Sequence, residues 1–164
     1  ERKHMKLRTD FVTNSSSSSF AVIRMESREI AQLLEKYRKA DVSWKTNFEI
    51  EGDMIYIEND DIFSPYDPKN VEEVLDSLLM LLTNVDLRNI QIPHSPEEYG
   101  YQEGKVALVR EAVENRKKLT DSIQTVDWST GITDWGQDGE SEIVGETSYI
   151  YDRKKGISRY SVEE

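Results

Sequence analysis

The sequence contains no cysteine, and this absence removes several kinds of chemistry at once. The chain has no disulfide framework, no thiolate nucleophile and no thiolate ligand for zinc. Histidine is scarce, with two residues in 164, so general-base catalysis has few candidates. No apolar run reaches the roughly 18 residues of a membrane span, and no segment is typical of a signal peptide. The composition therefore predicts a cytoplasmic protein with no membrane partner.

Basic residues are almost missing from the middle of the chain. Residues 46–104 contain fourteen acidic side chains and only two basic ones, Lys69 and Arg88, within a net charge of −11. Because the sign of the field determines what can approach, this block favours a basic partner and disfavours direct binding of nucleic acid. The basic clusters at 116–118 and 153–155 are short and separated, which indicates a helix end and a hairpin tip.

The length fits one domain of the usual size of about 100–200 residues. Residues 1–4 precede Met5 and are typical of a cloning remnant. Residues 5–19 predict a flexible, serine-rich arm, with an anion-binding or modifiable loop as the alternative. Residues 20–164 predict a single α+β domain.

Apolar patterning predicts the first elements of this domain. The β-branched run at 20–25 predicts a buried strand. Ser27 is typical of the N-cap of the amphipathic helix that follows. Residues 47–58 alternate around Gly52 and Asp53, a pattern that predicts a β-hairpin.

Helical spacing dominates the centre of the chain. Asp67 followed by Pro68 indicates an N-cap and first helical position, and the leucine-rich run after them predicts a core helix. Residues 87–92 are compatible with a short strand, and residues 103–119 predict a further helix.

The C-terminal third changes to strand-like alternation. Residues 123–128 alternate, residues 129–142 are rich in Gly, Asp, Thr and Ser and predict a long loop, and residues 143–151 and 157–162 predict two strands around a turn at 152–156. The predicted order is β-α-β-β-α-(β)-α-β-β-β. We therefore expect an α+β fold, an antiparallel or mixed sheet with about three helices packed on one side.

The start of the chain resembles a known group of proteins. Residues 8–20 read Arg-Thr-Asp-Phe-Val-Thr-Asn, then five serines and Phe20. This string resembles the opening of short bacterial proteins, including phage-encoded ones, that have no assigned activity. The resemblance implies a bacterial or phage source and carries over no catalytic residue.

Four acidic residues of the hairpin region form the first candidate site: Asp53, Glu58, Asp60 and Asp61. Such carboxylates can hold magnesium or act as an acid–base pair. A solvated hairpin face explains them with fewer assumptions, since charge at this density is tolerated only at the surface. We therefore interpret them as an acidic binding face and predict neither a metal nor another cofactor.

Two tryptophans form the second candidate site. Trp128 and Trp135 belong to the predicted loop region, Trp128 directly before residues 129–142 and Trp135 within them, where aromatic side chains can anchor a recognition surface. Alternatively, they close the end of the sheet. The stretch 134–142 also has a faint likeness to a calcium loop, but it lacks two of the usual ligands.

Three classes of function fit this sequence. The first is a non-enzymatic binding or regulatory module whose acidic face, formed by residues 46–104, meets a basic protein surface. Its narrower form is an acidic inhibitor that imitates nucleic acid, as antirestriction, anti-CRISPR and toxin-immunity proteins do. The second class is a metal-dependent hydrolase or transferase, and the third is a subunit of a larger assembly. Charge favours the first class and indicates no oligomeric state.

Overall fold

Six strands form one antiparallel sheet in the order β2-β3-β1-β4-β5-β6. The computed structural model describes residues 17–42, 44, 46–60, 67–83, 103–135 and 141–163. The strands are β1 (Ser17–Glu26), β2 (Glu49–Glu51), β3 (Met54–Asp60), β4 (Thr125–Trp135), β5 (Ser141–Asp152) and β6 (Ile157–Glu163). The helices are α1 (Arg28–Lys39), α2 (Val74–Thr83), α3 (Glu103–Glu114) and α4 (Arg116–Asp121), and a 3₁₀ turn at Val71–Glu73 precedes α2. The predicted α+β fold is confirmed.

The hydrophobic core lies between the helices and one face of the sheet. Alternate residues of the central strands, such as Ile23, Ile57 and Trp128, point into it and are almost fully buried. The leucine-rich helix α2 is buried along most of its length, as predicted. None of the described helices is long and apolar enough to cross a membrane.

Strand β1 begins earlier than its apolar run suggests. Its ladder with β4 continues past Phe20, and Ser17–Ser19 pair with Asp134–Ile132. This corrects the boundary of the predicted flexible arm, because these three serines pair with β4 as part of the strand. The rest of that arm lies outside the described residues.

The cap of α1 and both predicted turns are confirmed. The Ile30 amide donates to Ser27 Oγ at 3.1 Å, which begins the helix after β1. Gly52 and Gly156 both have positive φ angles, +65° and +66°, at the turns of the β2–β3 and β5–β6 hairpins. A residue without a Cβ adopts this backbone conformation at little cost.

The predicted helix start at Asp67 is wrong. Asn70 is the N-cap of the 3₁₀ turn, and its Oδ1 accepts from the Glu73 amide at 3.2 Å. Asp67 instead accepts a hydrogen bond from the indole of Trp128 in β4. A long-range partner therefore outcompetes the local capping pattern.

The helix predicted over 103–119 is divided at Asn115. Residue Asn115 separates α3 from α4, and its side-chain amide donates to the Glu111 carbonyl at 2.9 Å. Of the four residues that the helical spacing predicts to face inward, Val106, Val109 and Leu119 are buried, whereas Val113 is only half-buried. The strand predicted over 87–92 lies outside the described residues.

The long loop predicted over 129–142 is wrong where the structure describes it. Residues 129–135 continue β4, and residues 141–142 begin β5. The two strands pair over nearly their whole length, with an irregularity between Ile132 and Thr133. Non-local pairing overrides the weak strand propensity of Gly, Ser and Asp in this stretch.

Candidate functional site

The sheet has an outer face, opposite the helices, that is defined by its register. Arg24 of β1 lies opposite Tyr56 of β3 on one side and Asp127 of β4 on the other. The same row continues to Ile150 of β5 and Arg159 of β6. Side chains alternate between the two faces of a strand, so every second residue from this row belongs to the outer face.

Carboxylates dominate the outer face. Arg24 and Arg159 are the two basic residues among its described positions. The acidic positions with described side chains are Glu26, Glu49, Glu51, Glu58, Asp127, Glu146, Asp152 and Glu163. By contrast, the helices and the 3₁₀ turn contain nine acidic and nine basic residues. Among the described residues, the charge imbalance is thus between the outer face of the sheet and the helices.

A cleft of about 450 Å³ lies on the β2–β3–β1 side of the outer face. Glu49, Glu58 and Asp127 line it, and all three are exposed. The Arg24 guanidinium carbon lies 5.4 Å from the centre of the Tyr56 ring, a cation–π distance. The cleft therefore combines three accessible carboxylates with an aromatic ring that already accommodates one guanidinium group.

One corner of the outer face, around Phe20, is buried and not accessible to a partner. Phe20 and Ser129 are almost fully buried, and Ser129 Oγ donates to Glu146 Oε2 at 2.8 Å. Glu146 retains only 9% of its accessible surface. The accessible acidic surface therefore consists of Glu163 and of the rows from Glu58 to the β2–β3 and β5–β6 turns.

The structure separates the acidic residues of the predicted hairpin site. Asp53 lies in the β2–β3 turn, 3.6 Å from Arg28 Nε, and its carbonyl accepts from the Ser27 amide at 2.9 Å. Glu58 lies five positions along β3, about 16 Å away at strand spacing. Asp60 occupies a register position of the outer face, opposite Phe20, and Asp61 lies outside the described residues. Asp53 thus has a structural role, whereas Glu58 belongs to the outer face.

A second cleft, of about 490 Å³, lies at the end of the sheet beside Asp53. Its wall includes Ser122, whose Oγ lies 2.6 Å from Ser27 Oγ, and Gln124, whose backbone N–H donates to the Glu26 carbonyl at 2.8 Å. These bonds join the α1 cap to the start of β4. Across the described residues, no group of three or more His, Cys, Asp or Glu side chains is placed to hold a metal ion.

Trp128 and Trp135 lie in strand β4 and not in the predicted loop. Trp128 lies within β4 on the helix-facing side and is 2% exposed, so the prediction of a recognition loop is wrong for this residue. Trp128 does not close the end of the sheet either, because it pairs with Ile23 and Tyr149 within the sheet and belongs to the hydrophobic core. Trp135 is the last residue of β4, and its side chain lies outside the described residues.

Sequence reasoning missed most of the outer face. Arg24, Asp127, Asp152, Arg159 and Glu163 come from four different strands. The available signal was the alternation of charged and apolar residues within each strand, as in Glu49-Ile50-Glu51. That signal shows which residues leave the core, but the register between strands decides which of them become neighbours.

Comparison with known proteins identifies no relative. No protein-family model matches the chain. The chain matches no curated protein and no solved structure. The resemblance of residues 8–20 to short bacterial proteins stays a prediction, and function is inferred from the outer face.

Proposed function

We propose that this protein is a non-enzymatic binding module that recognises a basic protein surface through the outer face of its sheet. The observation that carries the proposal is the separation of charge. Carboxylates outnumber basic groups on the outer face, whereas the helices are balanced. A coherent acidic surface attracts basic partners, raises association rates and disfavours acidic competitors.

The cleft beside Arg24 supplies the most specific contacts. A lysine or arginine side chain of the partner would meet Glu49, Glu58 and Asp127 there, next to the Tyr56 ring. Charge-assisted hydrogen bonds to carboxylates are stronger than neutral ones, and a guanidinium group also stacks favourably on an aromatic ring. A lysine ammonium group cannot stack on the ring or form the paired hydrogen bonds of a guanidinium group, so arginine-rich segments fit this cleft best.

The test compares two variants with the same change in net charge. The outer-face variant is E49Q/E58Q/D127N, and the control is E29Q/E72Q/E114Q on the helix side. Binding of an arginine-rich peptide and of a glutamine-substituted analogue is measured by calorimetry at about 50 and 300 mM salt, where screening differs strongly. We expect the outer-face variant to lose at least about tenfold in affinity and the control to lose about twofold or less.

Equal losses in the two variants would show that only net charge matters, and the proposal would then be abandoned. Capture of partners from bacterial lysate with both variants extends the test to natural ligands. Competition by duplex DNA for a captured partner tests the narrower form of the proposal, imitation of nucleic acid. In that form, DNA releases the partner from the outer face.

A further inference from the structure

Within the part of the chain that the structure describes, strand β6 forms one edge of the sheet and is exposed on both faces. It is last in the strand order, and six of its seven residues are exposed. The opposite edge strand, β2, has three residues with the sequence Glu-Ile-Glu, and short charged edges resist pairing. Strand β6 has no proline, no lysine and no shift of register against β5. Of the two edges, β6 is the one that can accept another strand.

Strand β6 exposes two large apolar side chains at this edge. Tyr160 and Val162 are 37% and 52% exposed, and both lie on the helix-facing side of β6, where Lys69 Nζ lies 5.7 Å from the centre of the Tyr160 ring. Ile132 of β4, 48% exposed, lies on the same side of the sheet. These are the exposed large hydrophobic residues of the described chain. Apolar groups beside an unpaired strand mark a surface that gains stability when it is covered.

We infer that β6 pairs antiparallel with β6 of a second copy of this chain, with the two-fold axis at Ser161. In this register Arg159 lies opposite Glu163 of the second copy, and Tyr160 lies opposite Val162. The symmetry produces each pair twice. Opposite charges and aromatic–β-branched neighbours are both favourable cross-strand pairs. The chemical self-complementarity of β6 is the argument for a second copy over a foreign strand.

Neighbouring registers lack this complementarity. With the axis at Tyr160, Arg159 faces Ser161, Ser158 faces Val162 and Ile157 faces Glu163. Neither charged residue then has a charged partner. The axis at Ser161 is normal to the sheet, so the outer faces of both copies lie on one side of a continuous sheet of twelve strands.

A cysteine placed on the axis tests the register directly, because the chain has no cysteine of its own. Residues directly opposite in an antiparallel pair have Cα atoms about 4.5–5.5 Å apart, within the range of a disulfide. Ser148 of β5 lies beside Ser161 on the same face, with 2.8 Å between the two Oγ atoms, and provides the matched control. Two Ser148 residues would lie three strand spacings apart, about 14 Å, which is too far to bridge.

We expect S161C to form a covalent dimer under mild oxidation at protein concentrations where S148C stays monomeric on a non-reducing gel. Reductant should reverse it. Equal cross-linking of both variants, or none in S161C, overturns the inference. Circular dichroism and thermal melting confirm that both variants are folded.

Sedimentation equilibrium of the cysteine-free protein gives a second test. The concentration range is about 5 to 500 µM, because a single strand pair is a small interface and binds weakly. We expect a reversible dimer. R159E and E163R should each weaken it roughly tenfold, since two attractive pairs become repulsive, and R159E/E163R should restore it. V162K should abolish the dimer, whereas the control Q32K, at an exposed position of α1, should not. A monomer throughout, single variants without effect, or capture of a foreign strand by a monomer would each refute self-pairing.

Discussion

The Asp67 carboxylate accepts a hydrogen bond from the Trp128 indole at 3.2 Å, across 61 positions of the chain. The same Oδ1 accepts one from Thr130 Oγ1 at 2.6 Å. Two donors on the helix-facing side of β4 are therefore satisfied by one residue that precedes α2. These two hydrogen bonds hold the segment that precedes α2 against strand β4.

Replacing Asp67 with alanine should destabilise the protein by about 1–3 kcal/mol, because the buried indole N–H loses its acceptor. D67N keeps an oxygen acceptor and should cost less. Urea unfolding followed by tryptophan fluorescence measures both variants. In a W128F background, D67A should lower the free energy of unfolding clearly less than it does in the wild type. Equal losses in the two backgrounds would mean that the hydrogen bond to Trp128 contributes nothing to stability.

Tyr37 should make stability fall in alkaline solution. Its hydroxyl donates to Glu111 Oε1 at 2.8 Å, and burial, followed by this hydrogen bond, raises the pKa of Tyr37 to about 12. The pKa of Tyr37 is higher in the folded than in the unfolded protein. The contribution of this residue to the free energy of unfolding is therefore complete below the ordinary pKa of 10.0 and is lost as the pH rises toward 12. Y37F should therefore unfold with a shallower pH dependence across this window in denaturant titrations. Wild type and Y37F with the same alkaline slope would contradict this assignment.

Gly131 is predicted to tolerate no side chain. A Cβ at this position would clash with the backbone carbonyl oxygen of Gly145 and would lie 2.7 Å from Cζ of Phe20. We expect G131A to lose about 1–3 kcal/mol in free energy of unfolding because of overpacking. Gly145 has no atom within 4 Å of an added Cβ, so G145A is the matched control. G145A should be neutral or slightly stabilising, since alanine loses less conformational entropy than glycine. Equal effects in thermal melting would refute the steric explanation.

Removing the central positive charge should strengthen binding. R24Q deletes the guanidinium that shares the cleft with Glu58 and Asp127, which makes the outer face more acidic. The association rate with the arginine-rich peptide should rise roughly two- to fivefold at low salt, and the gain should shrink as salt screens the field. Stopped-flow fluorescence measures the rate, and R110Q, at an exposed position of α3, is the control. A decrease with R24Q would show that Arg24 contacts the ligand directly.

Local chemistry was sufficient for much of the fold. The hydroxyl of Ser27, the positive φ of Gly52 and Gly156, and the spacing of leucines in α2 each act within a few residues, so their patterns predict caps, turns and helices. The same holds for the inward alternation of Ile55 and Ile57 in β3. These signals were enough to predict the α+β class.

Interactions between distant segments determined the rest. Asp67 resembles an N-cap in isolation, yet the indole of Trp128 is a better partner, because an unsatisfied buried donor costs more than a cap at an exposed helix start. Residues 129–135 resemble a loop until β1 and β5 pair with them on both sides. The outer face depends on register in the same way, since Glu49, Asp127 and Glu163 become parts of one surface only when five strand pairings align them. Hydrogen bonds between strands, and not the order of charges along the chain, place these carboxylates together.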